Sequence, residues 1–156
     1  MDVSKLLTDL EQQENSLQFD SFSNDDAVAI GMHLYNRALK EHKSITIDIT
    51  RNGHQLFHIA LPGTSPDNDQ WLIRKNRIVN RFSMSSYRME IELKSMQKTL
   101  QERYYLDPVD YAPFGGAFPI IIRNTGVIGT MTVSGLTQDE DHAMVVDAVT
   151  TFLKQK

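Results

Sequence analysis

With 156 residues, 40% of them apolar and 23% charged, and only five prolines and eight glycines, the chain has the composition of one globular domain able to bury a core. A formal net charge of −4 argues against a general nucleic-acid binder, and zero cysteines remove disulfides, thiolate nucleophiles and cysteine-held zinc or iron–sulfur clusters. No apolar run approaches the roughly 20 residues of a membrane span, and Met1-Asp2-Val3-Ser4-Lys5 lacks a signal peptide's basic start, so a cytoplasmic protein with no membrane contact is expected.

In chain order, Val3, Leu6, Leu7 and Leu10 fall at helical spacing and are followed by the polar run Glu11–Glu14. Residues 1–16 therefore read as an amphipathic arm that packs either on the domain or on a neighbouring subunit. Leu17 to Phe22 is an extended lead-in. Ser23 is a good N-cap, and Asp25 and Asp26 suit a positive first turn, which predicts a helix over 24–42 with Ala27, Gly31, Leu34 and Ala38 on one line. Gly31 costs about 1 kcal/mol relative to alanine there, so it marks a close approach by a neighbour. Ile45, Ile47 and Ile49 then alternate with polar residues and run into Asn52-Gly53, the pair that a type I′ hairpin turn requires. A two-residue loop sets Ile49 opposite Leu56, Asp48 opposite Phe57 and Ile47 opposite His58, with His58 on the isoleucine face.

After Leu61–Pro66, Asp67 or Asn68 is positioned to cap a helix with Trp71, Leu72, Ile78, Val79 and Phe82 on one side and Arg74, Arg77 and Arg81 on the other. Ser83–Ser86 breaks it, and Met89, Leu93, Met96 and Leu100 predict a second helix. Beyond a loop over 107–113, Gly115-Gly116 leads into a strand, Phe118–Arg123, a turn at Asn124–Gly126 and a second strand, Val127–Ser134. Thr137 with Glu140 fits a capping box for the last helix, which turns Val145, Ala148, Val149 and Phe152 inward. Two hairpins separated by helices read as α+β with an antiparallel sheet, since a parallel sheet needs regular β–α alternation.

Several stretches together resemble the haem-degrading-domain family related to GlcG and HbpS, and within it a subgroup of small cytoplasmic proteins. They are Arg51–Phe57, Pro62-Gly63-Thr64, Asp67-Asn68 with Trp71 and Lys75, Phe82 with Ser85-Ser86, Gly115–Pro119, Gly126–Gly129, Val133–Leu136 and Asp141-His142. The likeness spans residues 17–153. It implies a profilin-like fold with about five antiparallel strands flanked by helices, assembly into a homo-oligomer, and haem as a cofactor through distant relatives only.

The candidate ligand-binding residues are His58, Arg74, Arg77, Arg81, Gly115, Gly116 and His142. His142 falls in the first turn of the last helix, where the dipole favours a neutral imidazole that can ligate or accept a proton; it is equally a core or interface histidine. If His58 and His142 converge, they would suit haem iron or a metal. The three arginines share one helix face and fit either a small anionic ligand or acids on a neighbour. Gly115 and Gly116 have no phosphate-loop spacing, so tight turns and close packing are the favoured explanation, with a pocket frame as the alternative. Ser134 with Asp141 and His142 makes an improbable triad, and no complete catalytic constellation is visible. Three functions follow: a ligand-binding homo-oligomer with little or no catalysis, a haem- or tetrapyrrole-handling enzyme, and a protein-interaction scaffold.

Overall fold

The computed structural model describes residues 2–156. Its elements are α1 (Val3–Ser16), α2 (Asn24–Lys40), β1 (Thr46–Arg51), β2 (His54–Ala60), α3 (Pro66–Phe82), α4 (Ser86–Met96), α5 (Leu100–Tyr104), β3 (Ala117–Ile122), β4 (Gly126–Ser134) and α6 (Gln138–Lys154). The strands form one antiparallel sheet in the order β2-β1-β4-β3, so the two hairpins join through β1 and β4. This is the expected α+β antiparallel architecture, with four strands in place of five. The lead-in supplies the difference: Phe19 makes a parallel bridge to Ile122, its N–H donating to the Ile121 carbonyl at 2.8 Å and its carbonyl accepting from Arg123 at 2.8 Å. One bridged residue is too little to make a strand. Among the described residues no helix is long and apolar enough to cross a membrane.

Period-two alternation gives the sheet two chemically different faces. Ile45, Ile47, Ile49, Phe118, Ile120, Met131 and Val133 form the apolar side, buried under α2 and α6. The α3 side carries Thr46, Asp48, Thr130, Thr132 and Ser134, all buried. Buried polar groups need partners, and α3 supplies one in Asn76, which accepts from the Thr132 hydroxyl and donates to Asp48 at 3.4 Å. The Asp48 carboxylate also accepts from Thr50 at 2.9 Å and Gln55 at 2.7 Å.

The first hairpin corrects the expected register. Asn52 and Gly53 have positive φ, as the type I′ turn requires, but a bulge between Ile49 and Thr50 absorbs Leu56. Every later residue of β2 thereby changes face. Phe57 pairs with Ile49, and His58 pairs with Asp48 on the α3 side instead of lying among the isoleucines. Its Nε2 is 2.6 Å from Asp69 Oδ1.

Two further expectations are revised. The helix of Met89 stops at Met96, with Gln97 left-handed, and Leu100 belongs to α5, although its side chain rejoins Ile78, Met89 and Leu93 in a small second core. The Thr137 capping box does not form, because its hydroxyl binds the Asp139 and Glu140 carboxylates.

Gly31 has the close neighbour expected of it. A Cβ there would lie 2.4 Å from the Phe57 ring. Gly31→Ala combines a helix-propensity gain of about 1 kcal/mol with an overpacking cost of roughly 1–3 kcal/mol. The expected outcome in chemical denaturation is a net loss of about 1 kcal/mol, most of it recovered when Phe57→Leu is added.

Candidate functional site

Lys75 falls on the inward line of α3, between Leu72 and Ile78–Val79, and is 3% exposed. Its ammonium donates to Asp141 Oδ2 at 3.2 Å, and Asp141, in the first turn of α6, is 2% exposed. The other Asp141 oxygen accepts the Leu136 N–H at 2.9 Å. Burial pushes the Lys75 pKa down and the Asp141 pKa up, and in each case the partner's charge opposes the shift. The pair thus joins α3 to the turn between β4 and α6.

Gly115 and Gly116 pass directly over this pair. Gly116 has φ +142°, and a Cβ there would lie 2.5 Å from the Val133 carbonyl and 2.8 Å from Lys75 Nζ. A Cβ on Gly115 would lie 2.3 Å from the Gln138 carbonyl, and the Gly115 N–H donates to the buried Glu90 carboxylate at 3.0 Å. Close approach therefore accounts for both glycines.

Two cavities adjoin here. A polar alcove of about 280 Å³ is lined by Asp67, Asn68, Lys75, Ser134, Gln138 and Asp141, with Trp71 and Phe114 at its side. A larger, mainly apolar cleft of about 780 Å³ lies between α3, α4, α5 and the loop before β3. Trp71 and Phe114 line both, their rings edge to face at 6.1 Å.

The candidate residues separate into groups. Arg74 stacks on Trp71 at 4.0 Å, donates to the Pro108 carbonyl at 3.1 Å and lines the cleft. Arg77 donates to the Asp110 carbonyl at 3.1 Å, and Arg81 reaches the Tyr111 hydroxyl at 3.5 Å. All three arginines hold the loop over 108–111 against α3. His142 is buried against Tyr87 and Phe118, with ring centroids at 4.9 and 6.0 Å. Its Nε2 is 2.8 Å from the Gln13 side-chain oxygen and its Nδ1 has no partner. His58 has Asp69 as its partner, so the two histidines serve different neighbours. Asp141 is committed to Lys75 and His142 to Gln13, so neither forms a triad with Ser134. Among the described residues no group of three or more His, Asp or Glu side chains is placed to hold a metal. Lys75 and Ser134 are absent from the ligand-binding candidates above, where Ser134 enters only as a triad serine. The available signal was an ionisable residue on an otherwise apolar helix line.

Residues 22–150 match the model of a family described as "Haem degrading protein HbpS-like". A UPF0303 protein of Streptomyces coelicolor is 46% identical over 147 residues, which is 94% of this chain and 93% of the relative. Among solved structures, Ybr137w superposes with a TM-score of 0.89 at 34% identity, covering 96% of this chain and 88% of that one. The haem complex of PduOC superposes with a TM-score of 0.68 at 14% identity over 83% of this chain and 94% of that one, a likeness of fold.

Burial alone lowers the His142 pKa from 6.5 to about 4. The unfolded chain then takes up a proton near pH 6.5 that the folded chain refuses until about pH 4. The contribution is complete above the unfolded value and is lost as pH falls between the two, amounting to about 3 kcal/mol. Denaturation of wild type and His142→Phe at pH 7 and pH 4 checks it: the difference between the two pH values should be smaller in the variant by that amount.

Proposed function

Since this chain belongs to the HbpS-like family, we propose that it is a small-ligand-binding domain that works as a homo-oligomer, with the cleft beside Trp71 and Phe114 as its binding site. The observation that carries the reading is the cleft itself. Its volume of about 780 Å³ falls in the range of small-molecule sites, and Trp71, Leu93, Leu100, Pro113 and Phe114 supply apolar walls. Arg74 and Lys98 add cationic groups, Lys94 being paired with Glu90 at 3.1 Å, which suits an apolar ligand bearing a carboxylate. The cleft lining has hydroxyls and carboxylates but no histidine or cysteine, which supports binding over nucleophilic catalysis.

Haem is the second reading, favoured by the family description and by a structural neighbour solved with haem. The residues fit it in part. The apolar walls suit the macrocycle and the basic groups suit its carboxylates, while the only lining side chain of a usual axial type is the phenol of Tyr111. His142 lies under α1 with Nε2 engaged by Gln13, and His58 is held by Asp69, so neither fits as an axial ligand in the cleft. Haem would bring its own redox-active iron; the chain's part would be to enclose the ring and hold the carboxylates.

Self-association is supported by the outer surface of α2. Val28, Met32 and Leu39 are exposed there, with half-buried Tyr35 between them at i, i+4, i+7 and i+11, one apolar stripe on a helix whose other face is already in the core.

Trp71 is the single tryptophan, so its fluorescence reports on the cleft directly. Haemin, used as a planar apolar dicarboxylate, should quench it saturably, and Phe114→Ala and Arg74→Ala should each weaken binding about tenfold. The haemin absorption spectrum should be the same in wild type and His142→Gln. Quenching that is absent, or indifferent to both cleft variants, contradicts the cleft assignment. In light scattering after gel filtration, wild type should exceed the monomer mass and Met32→Glu should move toward it; a monomeric wild type contradicts the homo-oligomer.

A further inference from the structure

We infer that the alcove between Lys75, Ser134 and Asp67 binds the charged head of a free α-amino acid whose apolar side chain lies against Trp71 and Phe114. The side-chain half of this inference rests on the cleft being a ligand site; the head-group half does not.

The first ground is the set of polar groups left unused. A lysine ammonium has three N–H donors, and the hydrogen bond to Asp141 takes one of those on Lys75. Ser134, 4% exposed at the end of β4, lines the alcove with a hydroxyl that has no partner among the described residues. The hydroxyl is open to the alcove, where water or a ligand can complete it. These groups together suit a carboxylate.

The second ground excludes a simple anion. The Asp141 carboxylate is taken by Lys75 and the Leu136 N–H, whereas Asp67, exposed in the first turn of α3 and also lining the alcove, has no ion-pair partner among the described residues. Asp67 precedes Lys75 by eight positions, about 12 Å along the α3 axis, and both residues line the alcove. A ligand between them meets donors on one side and a carboxylate on the other. That pattern matches a zwitterion with its carboxylate on Lys75 and Ser134 and its ammonium on Asp67. A volume of about 280 Å³ has room for such a head group, and the neighbouring surfaces are the two aromatic rings shared with the cleft.

The test uses the full chain and calorimetry with four probes: L-phenylalanine, L-alanine, 3-phenylpropionate, which lacks the ammonium, and 2-phenylethylamine, which lacks the carboxylate. L-Phenylalanine should bind, and both singly charged analogues should bind at least about tenfold more weakly. Ser134→Ala and Asp67→Asn should each weaken L-phenylalanine about tenfold while leaving the thermal midpoint close to wild type. L-Alanine should bind measurably and less tightly. The inference is overturned if L-phenylalanine does not bind, binds no tighter than its two analogues, or is indifferent to both variants. L-Alanine binding as tightly as L-phenylalanine would keep the head site and overturn the placement of the side chain. Haemin quenching of Trp71 in the same preparation reports on the cleft separately.

Discussion

The buried ion pair of Lys75 and Asp141 is the interaction on which the arrangement of this molecule depends. Removing two charges from water costs several kcal/mol per ion, and that cost is offset here only by a tightly prescribed geometry. The carboxylate takes the ammonium on one oxygen and the Leu136 amide of the β4–α6 turn on the other, so α3, the end of β4 and the start of α6 are held in one register. The glycine pair before β3 completes the enclosure, because only a residue without a side chain can pass at the distance seen over Lys75. Such a pair contributes more to the definition of one structure than to its stability, and here the structure it defines is the wall of a cavity.

The sheet explains why the cavity lies where it does. Its apolar face is closed by α2 and α6 around the isoleucines of β1. The opposite face is lined with hydroxyls and Asp48, and α3 covers it with Asn76 and Lys75 as well as with Leu72, Ile78 and Val79. Where α3 begins, that polar face has no helix over it, and the alcove opens beside Ser134. The 108–111 loop, fastened to α3 by Arg74, Arg77 and Arg81, adds Pro108 and Tyr111 to the wall of the apolar cleft, and Trp71 and Phe114 stand between that cleft and the polar alcove. Ligand sites of this kind join a few convergent polar groups to a larger apolar surface.

Much of the fold was legible in the residues. The Ser23 N-cap, the isoleucine alternation and the Asn52-Gly53 turn each express a local preference that tertiary structure did not override, whereas α3 starts earlier than expected, capped by Ser65 in place of Asp67 or Asn68. The features that escaped are those set by distant partners. A bulge opposite Ile49 moved His58 to the other face, which no two-residue turn rule anticipates. The arginine stripe has the spacing of an anion site, yet its nearest acceptors are carbonyls of a loop more than thirty residues away along the chain. His142 occupies the helix position expected of it, but α1 supplies Gln13 to its ring from the other end of the sequence. Lys75 was visible as a charge on an apolar line, and its meaning depended on Asp141, 66 residues later.

The most direct measurement of this account is a double-mutant cycle on the ion pair, with unfolding free energies for wild type, Lys75→Met, Asp141→Leu and the double variant. Each single variant leaves one buried charge without its partner and should lose about 3–5 kcal/mol, whereas the double variant should lose distinctly less than the sum. Additive losses, or single variants as stable as wild type, would contradict the claim that this pair organises the site.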